Sequence, residues 1–534
     1  RSRTARCETV STSSKQTANR SGCPASSAAA AIPRQLLAAA SPNRSLETHA
    51  GPADAASPNA VRASMSSDEG ATTCRTTFAS ASGGYTRPGA PAATPVGRLV
   101  VSLAIPTIIS MLVTAIYNIG DTFFVSKLGT SASGAVGIVF SLMAIIQAVG
   151  FTIGMGSGTW ISRLLGAQKV EEANTVASSG FFVVFLFGIL LAVFGLSRID
   201  GLMRLLGATD TILPYARDYA SYILYAAPIM AASFLLNNIL RAEGKARLAM
   251  VGLTTGGLLN LVLDPIFIFV LDLGIAGAAI ATAISQCVSF GILISWFIRK
   301  QSITRISLGG VTRSLPLYAT ILKNGFPAFI RQALASVATI ALNLAAAVHG
   351  DAAVAAMAIV SRLFMFVFAV NLGIGQGYMP VAGYNYGAGK YDRVRGAFFF
   401  TLKATSALMT VGGIAGFVFA PDLIRVFIRT DAEVVRIGVV ALRAMCMVMP
   451  LVPMGVVTNM TFQSIGKYGI STLLSLARQG IFFLPLIFVL PKFIGLTGVQ
   501  ITQALSDVLT FVSCLPLVHC LLKDLDGDPA RIPS

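Results

Sequence analysis

Charge is scarce in this chain. Only 12% of its 534 residues are Asp, Glu, Lys or Arg, against about 25% in a soluble globular protein. Histidine is scarcer: His49, His349 and His519 are the only three, and they are scattered. The seven cysteines form no CxxC pair. That pattern excludes a zinc site and a disulfide framework. There is no Walker A loop, which argues against a built-in ATP motor. A DDxxD-type metal motif is also missing, so a prenyl or glycosyl transferase has nothing to work with. No enzyme activity, no cofactor and no resident metal are expected.

What fills the space is apolar. Hydrophobic residues make up 54% of the chain and the mean hydropathy is +0.73. Apolar runs long enough to cross a hydrocarbon core of about 30 Å as helices alternate with short polar breaks. Twelve spans are expected, near 98–120, 131–157, 177–197, 216–240, 248–270, 275–298, 319–347, 352–379, 397–419, 438–462, 470–490 and 496–521. The net charge of +17 comes mainly from inter-helix loops and the N-terminal tail. With both termini placed in the cytoplasm, Arg163, Lys169, Arg241, Lys245, Arg299, Lys300 and Lys390 fall on inner loops, as the positive-inside rule requires. Nucleic acid is therefore not an expected partner. A multi-pass protein of the cell (inner) membrane, in contact with lipid and monomeric, is the expectation.

Residues 1–95 are rich in Ala, Ser, Thr, Pro and Arg. Such a segment cannot bury a core and is expected to be disordered. The first methionine is Met65, so residues 1–64 are read as upstream translated sequence, with a transit peptide as the alternative. The remaining boundaries are a six-helix lobe over 96–300, a cytoplasmic linker over 301–318, a second six-helix lobe over 319–522 and a short tail over 523–534.

The two lobes repeat one another. A shift of about 221 residues brings Pro106 onto Pro327, Gly166 onto Gly387, Lys169 onto Lys390, and Gly274 and Gly277 onto Gly495 and Gly498. Six spans per half is an even number, so both halves start on the same side of the membrane. The fold class expected is therefore all-α integral membrane: twelve transmembrane helices in two six-helix lobes, related by a pseudo-two-fold along the membrane normal, with ligand sites between or within the lobes. A repeated unit of this kind without a nucleotide motor points to a secondary transporter.

Ionisable residues inside a bilayer are costly and mark function by default. Asp121, Asp264 and Thr282 each fall roughly 9–15 Å below the outer surface at 1.5 Å per residue. Asn260 and Asp264 are four residues apart and share a helix face. Two carboxylates facing one another in a low-dielectric lobe cannot both ionise cheaply. Such a pair suits a proton, or a sodium ion with Asn260 and Thr282 as neutral oxygen ligands. The counterparts in the second half are Leu342, Ile481, Pro485 and Gln503, so the scaffold recurs and the acids do not. That asymmetry favours coupling over an architectural role. Tyr117, Asn118, Arg362, Gln376, Met447, Met454, Arg478 and Asp507 are candidates for the substrate cavity or for polar contacts between helices, with Arg478 and Asp507 as a possible ion pair.

Several segments together resemble the MATE family, the multidrug and toxic compound extrusion transporters: YNIGDTFFVSKLG (117–129), NNILRAEGK (237–245), GLLNLVLDPIFIF (257–269), GIAGAAIATAIS (274–285) and PVAGYNYGAGKYDRV (380–394). The resemblance implies twelve helices in two lobes. It also implies export of small organic compounds in exchange for protons or sodium ions, with the cation at Asp121, Asn260, Asp264 and Thr282. A flippase for lipid-linked precursors of the same superfamily is the rival reading. Substrate identity and the choice between proton and sodium are not legible at this level.

Overall fold

A backbone in hydrocarbon finds no water to bond, so each crossing segment must satisfy its own amides and carbonyls as a helix. The computed structural model of the chain describes residues 95–428 and 431–526. Among these, twelve helices are long and apolar enough to cross a membrane. They are α1 (Val96–Val125), α2 (Gly134–Gly166), α3 (Val170–Ser197), α4 (Leu213–Ala242), α5 (Ala246–Val270) and α6 (Gly274–Ile298) in the first half. In the second half they are α7 (Leu315–Ala347), α8 (Asp351–Gly387), α9 (Tyr391–Val418), α10 (Ala432–Ser464), α11 (Tyr468–Ile494) and α12 (Leu496–Asp526). Short helices Ile199–Leu205 and Ala420–Phe427 cap α3 and α9 at matching places. Large apolar side chains such as Phe194, Val411 and Phe493 face outward, where lipid rather than water is the solvent.

The boundaries shift from those expected. α7 begins at Leu315, inside the segment assigned to the linker, because Pro316 in its first turn has no amide to lose there. α12 runs on to Asp526, past the expected end of the lobe. Ion pairs Arg395–Asp526 and Lys467–Asp524 hold that last turn. Apart from Pro95, the expectation for residues 1–95 lies outside the described residues, as does the end of the tail from 527.

The repeat of the sequence is a repeat of contacts. Asn237 Nδ2 donates to the Ala249 carbonyl at 2.9 Å, and Asn459 Nδ2 donates to the Ser471 carbonyl at 2.7 Å. Each bond ties α4 or α10 to the helix that follows it. Across the lobes the contacts are reciprocal. A Cβ on Gly166 would meet the Tyr384 carbonyl oxygen at 2.1 Å, and one on Gly387 would meet the Arg163 carbonyl oxygen at 2.0 Å. One Cβ on Gly156 would lie 3.0 Å from the Gly325 nitrogen, and one on Gly377 would lie 2.5 Å from the Ala104 Cα. A residue shifted by the repeat thus touches the shifted partner, which is the signature of a two-fold axis. α2 crosses α7 as α8 crosses α1. Only glycine admits backbone this near to backbone.

These contacts sit on the half of the bundle that carries the start of α1 and the ends of α2, α8 and α12. They close the seam between the lobes on the side of Val96 and Asp526. Two hydrogen bonds reinforce them: Arg241 to Gln376, and Arg163 Nη2 to Asn324 Oδ1 at 3.3 Å.

The linker between the lobes is strapped to the first half. The buried Glu243 carboxylate accepts from Ser302 Oγ at 2.7 Å, the Ile303 amide at 2.8 Å, the Thr304 amide at 2.9 Å and Thr304 Oγ1 at 2.5 Å. Further along, the Arg305 amide bonds Asn174, the Ser307 amide bonds Ser178 and the Thr312 amide bonds Ser179.

Two outcomes test this picture. In a chain cleared of its own cysteines, Gly325→Val should raise labelling of a Ser162→Cys thiol by a membrane-impermeant maleimide, because Ser162 lies in the same seam against Gly383. Overpacking costs about 1–3 kcal/mol, a factor of roughly 5–150 in a two-state ratio; unchanged labelling would contradict a seam closed by backbone contact. Glu243→Ala removes bonds worth about 1.5–3 kcal/mol each and should speed tryptic cleavage after Arg299, Lys300, Arg305 and Arg313, read on a gel against the intact protein.

Candidate functional site

The polar cluster in the first half is built from four helices. Gly257 lets α5 approach α1, where an added Cβ would meet Val113 at 3.0 Å and Tyr117 at 3.3 Å. That approach brings Asn260 and Asp264 of α5 toward Asp121 of α1. Gly277 fits α6 under the Phe267 carbonyl, which a Cβ would meet at 2.5 Å, and this sets Thr282 beside α5. Pro265 ends the regular part of α5, and residues Ile266–Val270 continue as a wide π turn, a feature often found at functional sites.

All four predicted residues are withdrawn from solvent. Asp264 is fully buried, Asn260 and Thr282 are 4% exposed and Asp121 is 8% exposed. Asn260 Nδ2 donates to Asp264 Oδ1 at 3.0 Å and to Thr282 Oγ1 at 3.2 Å, which joins three of the four directly. Asp121 lies within electrostatic reach of Asp264. Two carboxylate oxygens, Asp121 Oδ1 and Asp264 Oδ2, are buried without a hydrogen-bond partner among the described residues. An unpaired buried oxygen of this kind costs free energy until something positive meets it. A proton or a small hard cation fits, since every group on offer is oxygen or amide. No group of three or more His, Cys, Asp or Glu placed to hold a metal ion occurs among the described residues.

Tyr219 of α4 joins this cluster and was not singled out from the sequence. It is fully buried, its hydroxyl lacks a well-formed hydrogen bond, and it stands beside Thr282 within electrostatic reach of both aspartates. The stretch YASYILY offers Tyr219, Tyr222 and Tyr225. The latter two are 37% and 67% exposed, and only packing tells the three apart.

Between the lobes, across the glycine seam from Val96 and Asp526, lies a cavity of about 610 Å³. Tyr117, Asn118, Arg362, Arg478 and Asp507 line it as expected. Arg478 and Asp507 form the suspected ion pair, Nε to Oδ1 at 2.7 Å and Nη2 to Oδ2 at 3.4 Å. Arg478 also sits 4.7 Å from the centre of the Phe368 ring. Gln376 makes the other expected kind of contact, a polar bond between helices, buried in the seam and bonded by Arg241. Two expectations for the cavity fail. Met447 is 66% exposed on the outer face, and Met454 packs into the core with Phe462 and Leu521. The cavity face of α10 carries Met445, Val452, Val456 and Met460; a position two residues from any of these points about 200° away from it. The methionines that do line the cavity are Met111, Met357, Met365, Met445 and Met460.

The sequence profile of the MatE family matches residues 106–266 and 327–489, once in each lobe. The multidrug export protein MepA of Staphylococcus saprophyticus is 28% identical over 434 residues, covering 81% of this chain and 96% of that protein. MepA of Staphylococcus aureus is 27% identical over 439 residues, covering 82% and 97%. Among solved structures, a MATE protein in complex with MaL6 matches with a TM-score of 0.78 at 28% identity, covering 81% of this chain and 98% of that one. An outward-facing multidrug resistance MATE family transporter of the MOP superfamily matches with a TM-score of 0.77 at 28% identity, covering 81% and 97%.

If the unpaired oxygens hold a cation, the purified protein should unfold at a higher temperature in sodium than in choline, or on mild acidification. A ligand at a hundred times its Kd adds about 2.7 kcal/mol. The gain should vanish in Asp264→Asn, and a gain that survives there would place the cation elsewhere.

Proposed function

The chain belongs to the MatE family of membrane transporters, and on that premise we propose that it is a secondary antiporter. It exports small organic compounds across the cell membrane in exchange for a proton or a sodium ion. The observation that carries this reading is the pair of buried, unpartnered carboxylate oxygens on Asp121 and Asp264, held in one lobe beside an inter-lobe cavity. The export direction rests on the relatives named as multidrug export proteins.

The coupling follows from differential binding. A cation arriving from outside meets Asp121 and Asp264, with Asn260 and Thr282 as neutral ligands and Tyr219 completing the wall. Its charge offsets the repulsion between the carboxylates, which frees α1 and α5 to pack differently. Tyr117 sits on α1, lines the cavity and touches α5 at Gly257. A change in the packing of α1 on α5 therefore reaches the substrate directly. Exchange needs each ligand to prefer a different state of the bundle. The glycine seam closes the terminal side here; the opposite state requires it to part. With the termini cytoplasmic, the cavity faces outward in this state. None of the relatives described above is named as a flippase, the rival reading.

Right-side-out membrane vesicles loaded with a fluorescent dye, under imposed proton or sodium gradients, test the proposal. Asp121→Asn with Asp264→Asn should abolish gradient-driven efflux while leaving expression intact, and the gradient that works identifies the cation. Normal efflux by the double variant would reject the mechanism.

A further inference from the structure

Within the transport reading above, the charge of the cavity selects the substrate. Its lining carries four arginines, Arg241, Arg331, Arg362 and Arg478, and one acid, Asp507. Asp507 is already taken by Arg478. The other three guanidinium groups have no carboxylate partner among the described residues. Arg241 bonds only the neutral amides of Gln376 and Asn237, and its Nε is buried without a partner. Half-buried Arg331 has only the Met155 sulfur, at 3.5 Å. Arg362 is exposed into the cavity. The carboxylates of Asp121 and Asp264 are not on the cavity wall, so they do not offset this charge there. The remaining wall is largely apolar, with Phe151, Phe234 and Phe511 among its side chains.

We propose that the transported compound is an amphiphilic organic anion, whose carboxylate, sulfonate or phosphate is met by Arg331 and Arg362 while its apolar body lies on the phenylalanine wall. An organic cation entering the same space would face three uncompensated positive charges in a medium where such charges are poorly screened. Guanidinium groups suit the planar or branched oxygens of such anions. Arg331 on α7 and Arg362 on α8 both belong to the second lobe, so the anionic group and the exchanged cation are bound by different halves. That separation lets each bias the bundle without competing for one site.

The test compares two probes with one fluorescent body and opposite charge, dansylglycine and dansylcadaverine. Binding to the purified protein in phosphatidylcholine nanodiscs is read by fluorescence. Dansylglycine should bind at least tenfold more tightly. Arg331→Gln with Arg362→Gln should weaken it at least tenfold and leave dansylcadaverine bound equally or better, which also shows that the variant is folded. Arg331→Lys with Arg362→Lys should restore most of the preference. Tighter binding of dansylcadaverine by the unaltered protein, or no effect of the Gln pair on dansylglycine, would overturn the proposal. Displacement of dansylglycine by phosphatidylglycerol at a few lipids per protein would assign the arginines to a lipid headgroup and overturn a free amphiphile. A binding preference that holds while neither probe leaves vesicles under any gradient would sink the antiport reading and spare this one.

Discussion

In lipid there is no hydrophobic force to press one helix against another, since a lipid tail is as apolar as leucine. What holds the two halves of this molecule together is backbone laid on backbone at glycine. Gly156, Gly166, Gly377 and Gly387 occupy reciprocal positions on α2 and α8, and the symmetry of the bundle follows from that reciprocity. Where the glycines stop, the lobes no longer touch at backbone distance and the cavity begins. The location of the cavity, the burial of Arg241 and Gln376 and the separation of the two polar systems are all set by that seam.

On this symmetric frame the chemistry is uneven. The first lobe holds two carboxylates that share no built-in cation. In the second lobe, Asp507 is met by a guanidinium from the preceding helix, and Gln503 Nε2 adds a further bond to it at 3.2 Å. Arg478 falls at the register of the Gly256–Gly257 pair in the repeat, so one lobe has close helix-to-helix packing where the other has a fixed positive charge. Both helices carry a π segment, Ile266–Val270 in α5 and Ala477–Phe483 in α11. The offset of about 221 sets Ala477–Phe483 opposite residues 256–262, so the irregular turn sits at a different place in each copy.

Much of this was legible in the sequence because a bilayer restricts the choices. Twelve apolar runs had to be twelve helices, and Asp121, Asn260, Asp264 and Thr282 were conspicuous as polar groups at one depth. The ion pair of Arg478 with Asp507 was visible for the same reason. Rotational facing was harder to read. Met447 and Met454 stand among closely spaced methionines on α10 and read as cavity residues from the sequence, yet they point about 200° from its cavity face. On an apolar helix in lipid both faces read alike, so no amphipathic stripe marks the inside. Tyr219 was hidden among neighbouring tyrosines for that reason. The anchoring role of Glu243 was invisible because its partners are mostly amides and hydroxyls some sixty residues away, a contact that leaves no trace in local pattern.

The strap formed by Glu243 has a mechanical corollary. From Ser302 to Thr312 the connecting chain is fastened to the first lobe, and α7 starts at Leu315. Only Arg313 and Ser314 lie between the last fastening and the first turn of the second lobe. Any swing of one lobe against the other must turn on those two residues, as a door turns on a short leaf hinge. When the glycine seam parts, that short leaf is the covalent tether across it and limits how far the lobes separate on that side.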